Sequence, residues 1–156
     1  MIDAAMTVDA IKLRFYIDWL YQSHITDEGD SDAHNQLTKK VVSDYVEPLK
    51  LKKTDKIVDL GCGPGYFLDI MKSKGYNNIV GITLSDKDAK TCQEKGHEVQ
   101  KIDMSFLSHK KGYNDESVDF FFMRHALEHS PYPIISLIEY NRVLKQNGKI
   151  YIEVPA

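Results

Sequence analysis

The chain has 156 residues, 42% of them hydrophobic, a formal net charge of −3 and two cysteines. That is enough apolar material for one buried core, and without a repeat it implies a single structural domain. The lysine pairs Lys39-Lys40, Lys52-Lys53 and Lys110-Lys111 are short and scattered, so no basic face for nucleic acid is expected. No apolar run approaches the roughly 18 residues of a membrane span, and the start MIDAAMTVDA lacks a basic, then apolar, leader pattern. A cytoplasmic protein with no membrane partner and with Cys62 and Cys92 as reduced thiols is the expectation.

In chain order, residues 1–54 read as an amino-terminal helical segment. Ile11 to Tyr21 has helical period but is apolar around most of its circumference, with Phe15, Tyr16, Trp19 and Tyr21 in it. Such a segment covers something, either the core or, as a lid, a ligand crevice; the polar stretch Thr26–Asp32 would be its hinge. Leu37, Val41, Tyr45 and Leu49 recur every four residues and predict a helix that packs on a sheet and ends around Pro48.

From Asp55 to the end, β-rich runs alternate with helical ones, the pattern of βαβ units. Strands are predicted at Lys56–Leu60, Ile79–Thr83, Glu98–Ile102, Val118–Met123 and Lys149–Val154. After the first strand, Phe67, Ile70 and Met71 lie at helical spacing and Gly75 stops the helix at C′. The next helix is capped by Ser85 with Asp88 reaching back, and Gly96 ends it. The last begins near Pro133, presents Ile134, Leu137, Ile138 and Leu144 to the core and Glu139, Arg142 and Lys145 outward, and Asn147-Gly148 turns the chain into the final strand.

The chemistry sits in IVDLGCGPGYF, Ile57 to Phe67. An apolar strand runs into Asp59, then Gly61, Gly63 and Gly65, then directly into a helix. Glycines at alternate positions remove the Cβ atoms that would keep a ligand off the backbone, and they permit positive φ where the chain turns. The following helix aims its free N–H groups and positive dipole end at that ligand. Dinucleotide-binding loops space their glycines G-x-G-x-x-G; here the spacing is D-x-G-x-G-x-G, which disfavours a nicotinamide oxidoreductase.

This stretch resembles the first motif of the class I S-adenosylmethionine-dependent methyltransferases. The likeness continues through VGITLS at the second strand, Ile102-Asp103-Met104 after the third, and FFFMRHALEHS leading into PYPIISLIEYNRVLKQNGKIYIEVP. The last segment is close to small-molecule methyltransferases that read H-x-L-E-H after the fourth strand. The resemblance implies an α/β fold, a Rossmann-like, mainly parallel sheet flanked by helices, with residues 55–156 as the methyltransferase core. Five strands are present and the family's usual last two are missing, which would leave a sheet edge open to homodimer formation. It also implies S-adenosylmethionine as cofactor, bound by Asp59, Gly61, Cys62, Gly63, Gly65, Thr83, Leu84, Asp103, Met104 and Met123. Where the family carries an acidic residue for the ribose hydroxyls this chain has Thr83, a change expected to weaken the cofactor by about 1–2 kcal/mol, the scale of one charge-assisted hydrogen bond; Asp86 is a substitute within reach.

The implied function is methyl transfer to a small-molecule substrate. The alternative is a module that binds S-adenosylmethionine without catalysis, or a truncated methyltransferase-like protein. His125 and His129 are the candidate bases, with Tyr16, Tyr21 and His24 available if the amino-terminal segment folds over. The spacing of His125, Glu128 and His129 matches an inverted zinc motif, but it follows a buried strand, Pro131 and Pro133 interrupt the helix it would need, and no metal is expected.

Overall fold

The computed structural model describes residues 31–108 and 111–155. The aromatic segment around residues 11–21, its hinge, and Tyr16, Tyr21 and His24 lie outside the described residues.

Five strands form one sheet: β1 Ile57–Leu60, β2 Ile79–Thr83, β3 Glu98–Lys101, β4 Val118–Arg124 and β5 Leu144–Glu153. They lie in the order β3-β2-β1-β4-β5, and every neighbouring pair is parallel. All residues of β1 and β2 are buried, as strands covered by helices on both faces must be. The helices are α1 Ser31–Val41, α2 Tyr66–Ser73, α3 Asp86–Glu94 and α4 Pro133–Val143. Side chains alternate along β4. Phe120 and Phe122 join Val42, Val46, Phe67 and Met71 on one face, whereas Phe121 and Met123 join Leu60, Ile82, Tyr140 and Val143 on the other. No helix among the described residues is long and apolar enough to cross a membrane.

Most of the predicted punctuation is present. Gly75 and Gly96 end α2 and α3 at φ of 86° and 77°, each followed by a residue whose amide returns to the helix: Tyr76 to Met71 O and His97 to Cys92 O. The Ser85 hydroxyl accepts from Asp88 N at 3.2 Å. The other half of that capping box is replaced, because Ser85 N donates to the Thr83 hydroxyl at 3.1 Å.

Three expectations need correction. The α1 stripe is displaced: Thr38, Val41, Val42 and Val46 are buried while Leu37 and Tyr45 are 49% and 57% exposed. The buried stripe still recurs every four residues, through Thr38, Val42 and Val46, but one position on from the expected one, since Val42 and Val46 pack with Phe67, Met71 and Phe120 in the core; over Val42–Val46 the helix also widens so that Glu47 N bonds to Val42 O. A second correction concerns α4, which buries Ser136, Tyr140 and Val143 and turns Ile134, Leu137 and Ile138 outward. Two interactions set this rotation. Tyr140 packs on Phe121 at 5.5 Å, and the Ser136 hydroxyl joins a buried chain through Ser130 (2.8 Å) to Ser105 (2.9 Å). On the same helix Arg142 reaches the connection between β3 and β4, donating to Leu107 O at 2.6 Å and Tyr113 O at 3.2 Å. The third correction is to β5, which begins at Leu144 instead of Lys149 and puts Asn147-Gly148 inside an irregularity of the strand, where Val118 pairs with Leu144 but Phe120 with Lys149. A Cβ on Gly148 would stand 2.8 Å from Leu144 Cδ2 and 2.9 Å from Lys145 O, so the bulge needs glycine there.

Candidate functional site

The chain winds outward from β1 in one direction through α2 to β2, and in the other from β4 through α4 to β5. The strand order therefore reverses between β1 and β4, and the crevice beyond their carboxyl ends is where such sheets bind ligands. The loops after β1 and after β4 meet there. At φ of 79°, 49° and 89°, Gly61, Gly63 and Gly65 all lie in the left-handed region. The turn braces itself: the amides of Gly61 and Cys62 donate to Ile82 O at 3.0 and 2.9 Å, and Gly65 N donates to Cys62 O at 3.0 Å.

The three glycines have different duties. A Cβ on Gly61 would stand 2.6 Å from Ala126 Cβ, and one on Gly65 would stand 2.8 Å from Cys92 Sγ. Those two are required by the protein's own packing. A Cβ on Gly63 would meet nothing within 4 Å; its missing side chain leaves open space. Helix α2 starts just after, with Gly65 at its N-cap and no side chain capping it, so its first amides remain for a ligand.

Asp59 lies one residue before the end of β1, 3% exposed. Burial, with a smaller contribution from Cys92, holds its carboxyl well above the usual carboxylate range. Cys62 and Cys92 are free, buried thiols packed beneath the turn; hydrogen bonding to Cys92, then burial, pushes the Cys62 thiol up, and the same hydrogen bond pulls the Cys92 thiol down. The cysteine at 92 braces the loop from below through Gly63 O at 3.4 Å.

Around this turn the other expected cofactor residues are distributed unevenly. Thr83 is buried and its hydroxyl is occupied as acceptor of Ser85 N, while Leu84 beside it is half-buried. Asp86, the expected substitute for an acidic residue at 83, projects to solvent and pairs with Lys101. Asp103 closes a turn by accepting from Ser105 N at 2.8 Å, and Met104 Sδ comes within 3.9 Å of the Cβ position of Gly61. Met123 has no exposed surface and belongs to the core.

On the β4 side, His125 takes φ of 51°, a conformation costing a non-glycine residue about 1–2 kcal/mol. Its amide donates to Glu153 O at 2.9 Å and its Nε2 lies 3.1 Å from Glu153 Oε1. Nδ1 is 3.7 Å from Glu128 Oε1. Beyond it, Leu127–His129 forms a single tight turn instead of a helix presenting two imidazoles on one face, and His129 is exposed. Among the described residues no three His, Cys, Asp or Glu side chains converge as a metal cage.

Two groups here were not singled out in the sequence. Glu153 accepts from Arg124 Nε at 3.0 Å and from the Tyr151 hydroxyl at 2.6 Å. Burial alone would raise its carboxyl, but those two donors outweigh it and hold the pKa below the usual range. The buried Ser105, Ser130 and Ser136 hydroxyls link the loop after β3 to the loop after β4. Neither group carries a spacing that a linear reading detects, since each joins residues from separate strands or loops.

An open parallel sheet that reverses between β1 and β4, with a self-braced glycine turn and an uncapped helix start at that point, defines a Rossmann-like cofactor-binding protein. Residues 58–152 match the family model described as a methyltransferase domain, and the chain belongs to that family. It is 28% identical over 144 residues to an uncharacterized methyltransferase of Schizosaccharomyces pombe, covering 85% of this chain and 51% of that protein. A probable methyltransferase of Aspergillus luteorubrus is 29% identical over 63% of this chain and 39% of its own length. Among solved structures, a SAM-dependent methyltransferase from Archaeoglobus fulgidus superposes with a TM-score of 0.65 at 27% identity, over 78% of this chain and 53% of that one. The chain thus spans about half the length, or less, of these curated relatives.

Proposed function

We propose that this chain is the cofactor-binding core of an S-adenosylmethionine-dependent methyltransferase acting on a small-molecule acceptor. The observation that carries the reading is the open space at Gly63, in a turn whose other two glycines are filled from within the protein. An extended ligand lying on the backbone there suits a cofactor held by shape and main-chain groups. Asp59, Gly61, Cys62, Gly63 and Gly65 would hold its amino-acid end, Thr83 and Leu84 its ribose side, and Asp103 and Met104 its adenine. When bound, S-adenosylmethionine supplies a methyl group on a cationic sulfur, already activated for displacement.

The chain's own contribution is orientation, worth up to about 7–11 kcal/mol in well-aligned systems. A base is required only for an acceptor that carries a proton, and His125 and His129, at the carboxyl end of β4, are the groups assigned to take it. Calorimetric titration with S-adenosylmethionine and with NAD tests the cofactor assignment. Binding of the first and not the second is expected, and preference for NAD would overturn it. Release of S-adenosylhomocysteine in the presence of small-molecule acceptors then separates an enzyme from a module that only binds.

A further inference from the structure

The carbonyl oxygens of Gly63 and Pro64, in the middle of the glycine turn, are both taken by the end of α3. Cys92 Sγ donates to Gly63 O at 3.4 Å, and Lys95 Nζ donates to Pro64 O at 2.8 Å. The same ammonium donates to Asp69 Oδ2 at 2.8 Å. Asp69 lies in the first turn of α2, where its own amide donates to Gly65 O at 2.9 Å. Its other carboxylate oxygen, Oδ1, is hydrogen-bonded to Nε2 of the nearly buried His97 at 2.6 Å. Lys95 thus grips both arms of the turn at once: the loop before Gly65 through a carbonyl, and the helix after it through a carboxylate that His97 holds in place.

We infer that Lys95 is a positioning residue for the cofactor, acting through the glycine turn. This rests on the reading of that turn as the cofactor's seat. The unit that matters is the peptide between Pro64 and Gly65. Its amide donates to Cys62 O at 3.0 Å, and its carbonyl is the one that Lys95 holds. Gly65, at φ of 89°, has no Cβ to oppose rotation of that unit, so losing Lys95 leaves the bond to Cys62 O as its remaining anchor. A turn that samples other rotations must be ordered again when a ligand lies along it, and that ordering is subtracted from the affinity. A hydrogen bond from an ammonium is the stronger kind and a thiol is a weak donor, so Lys95 outweighs Cys92 in fixing the turn. The Lys95 and Asp69 side chains are 35% and 41% exposed, a setting in which an ion pair adds little to global stability; its consequence is local order.

The test compares K95M, which keeps an unbranched apolar stem and loses the donors, with K90M, which removes an equal charge from the body of α3, where Lys90 faces Glu94 at 3.9 Å. Without ligand, amide hydrogen exchange at Gly65 should be about tenfold faster or more in K95M, with the β1 amides of Val58 and Leu60 unchanged and K90M like wild type. In calorimetry with S-adenosylmethionine, the dissociation constant should rise about fivefold or more in K95M and less than about twofold in K90M. Unchanged exchange at Gly65 in K95M, acceleration that extends equally to β1, wild-type affinity in K95M, or equal losses in K95M and K90M would each overturn the assignment. A wild type that does not bind S-adenosylmethionine removes the cofactor reading and this assignment with it, whereas a binding wild type with an unaffected K95M removes the role of Lys95 alone.

Discussion

The three glycines of the turn allow the ligand's space to be separated from the protein's own. Alanine at 63 must adopt φ of 49°, which costs about 1–2 kcal/mol, and its methyl group meets no protein atom within 4 Å. Alanine at 61 bears the same kind of strain and in addition puts Cβ 2.6 Å from Ala126 Cβ, an overpacking of about 1–3 kcal/mol. Stability should therefore fall by about 1–2 kcal/mol for Gly63→Ala and about 2–5 kcal/mol for Gly61→Ala, each kcal/mol lowering Tm by about 2–4 °C at this chain length. Affinity for S-adenosylmethionine should follow its own order. Gly63→Ala, the milder lesion for folding, should weaken binding at least tenfold, about 1.4 kcal/mol, and Gly63→Val should abolish it. Thermal melts of the free protein and calorimetry with the cofactor, on the same samples, give both numbers. A folded Gly63→Val protein with wild-type affinity would refute the placement of the ligand.

Other outcomes follow from the buried polar groups. The raised pKa of Asp59 means that the folded state holds this proton more tightly than the unfolded chain; its contribution to stability is fully present below the unfolded value and is lost as pH rises through the folded one. Asp59→Asn should accordingly raise the Tm of the free protein at pH 7 and lose that advantage in acid, as melts across pH will show. Glu153 has the opposite sign: its lowered pKa adds stability above the unfolded value that disappears as pH falls through the folded one, and Glu153→Gln should flatten that part of the acid transition. Ser136→Ala deprives buried Ser130 of a partner at 2.8 Å and should cost about 1–3 kcal/mol in chemical denaturation. Phe122→Ala removes the middle ring of an aromatic column, stacked at 3.9 Å on Phe67 and 5.3 Å on Tyr151, and should cost about 3–5 kcal/mol.

The alternation of apolar runs and amphipathic helices, with glycines at their ends, determined the fold class and the strand sequence, because covering a parallel sheet on both faces requires that pattern. The turn from Asp59 to Gly65 was equally legible, since a backbone with positive φ at alternate positions next to a strand leaves a signature in residue type. What hydropathy misplaced were orientations. Helix α4 buries Ser136 and turns Ile134 and Ile138 out because a hydroxyl on a chain of serines is satisfied inside, and that satisfaction depends on Ser105 and Ser130, distant in sequence. On α1 the buried stripe likewise runs through Thr38, Val42 and Val46, one position on from Leu37 and Tyr45, because Val42 and Val46 meet Phe67 and Phe120, residues distant in sequence. Only the tertiary structure set Glu153 against His125: Glu153 ends β5, His125 directly follows β4, and it is the parallel register of that pair, Arg124 opposite Glu153, that brings a carboxylate to the imidazole. Local propensity is written residue by residue, whereas a contact across strands depends on register, which the whole packed sheet decides.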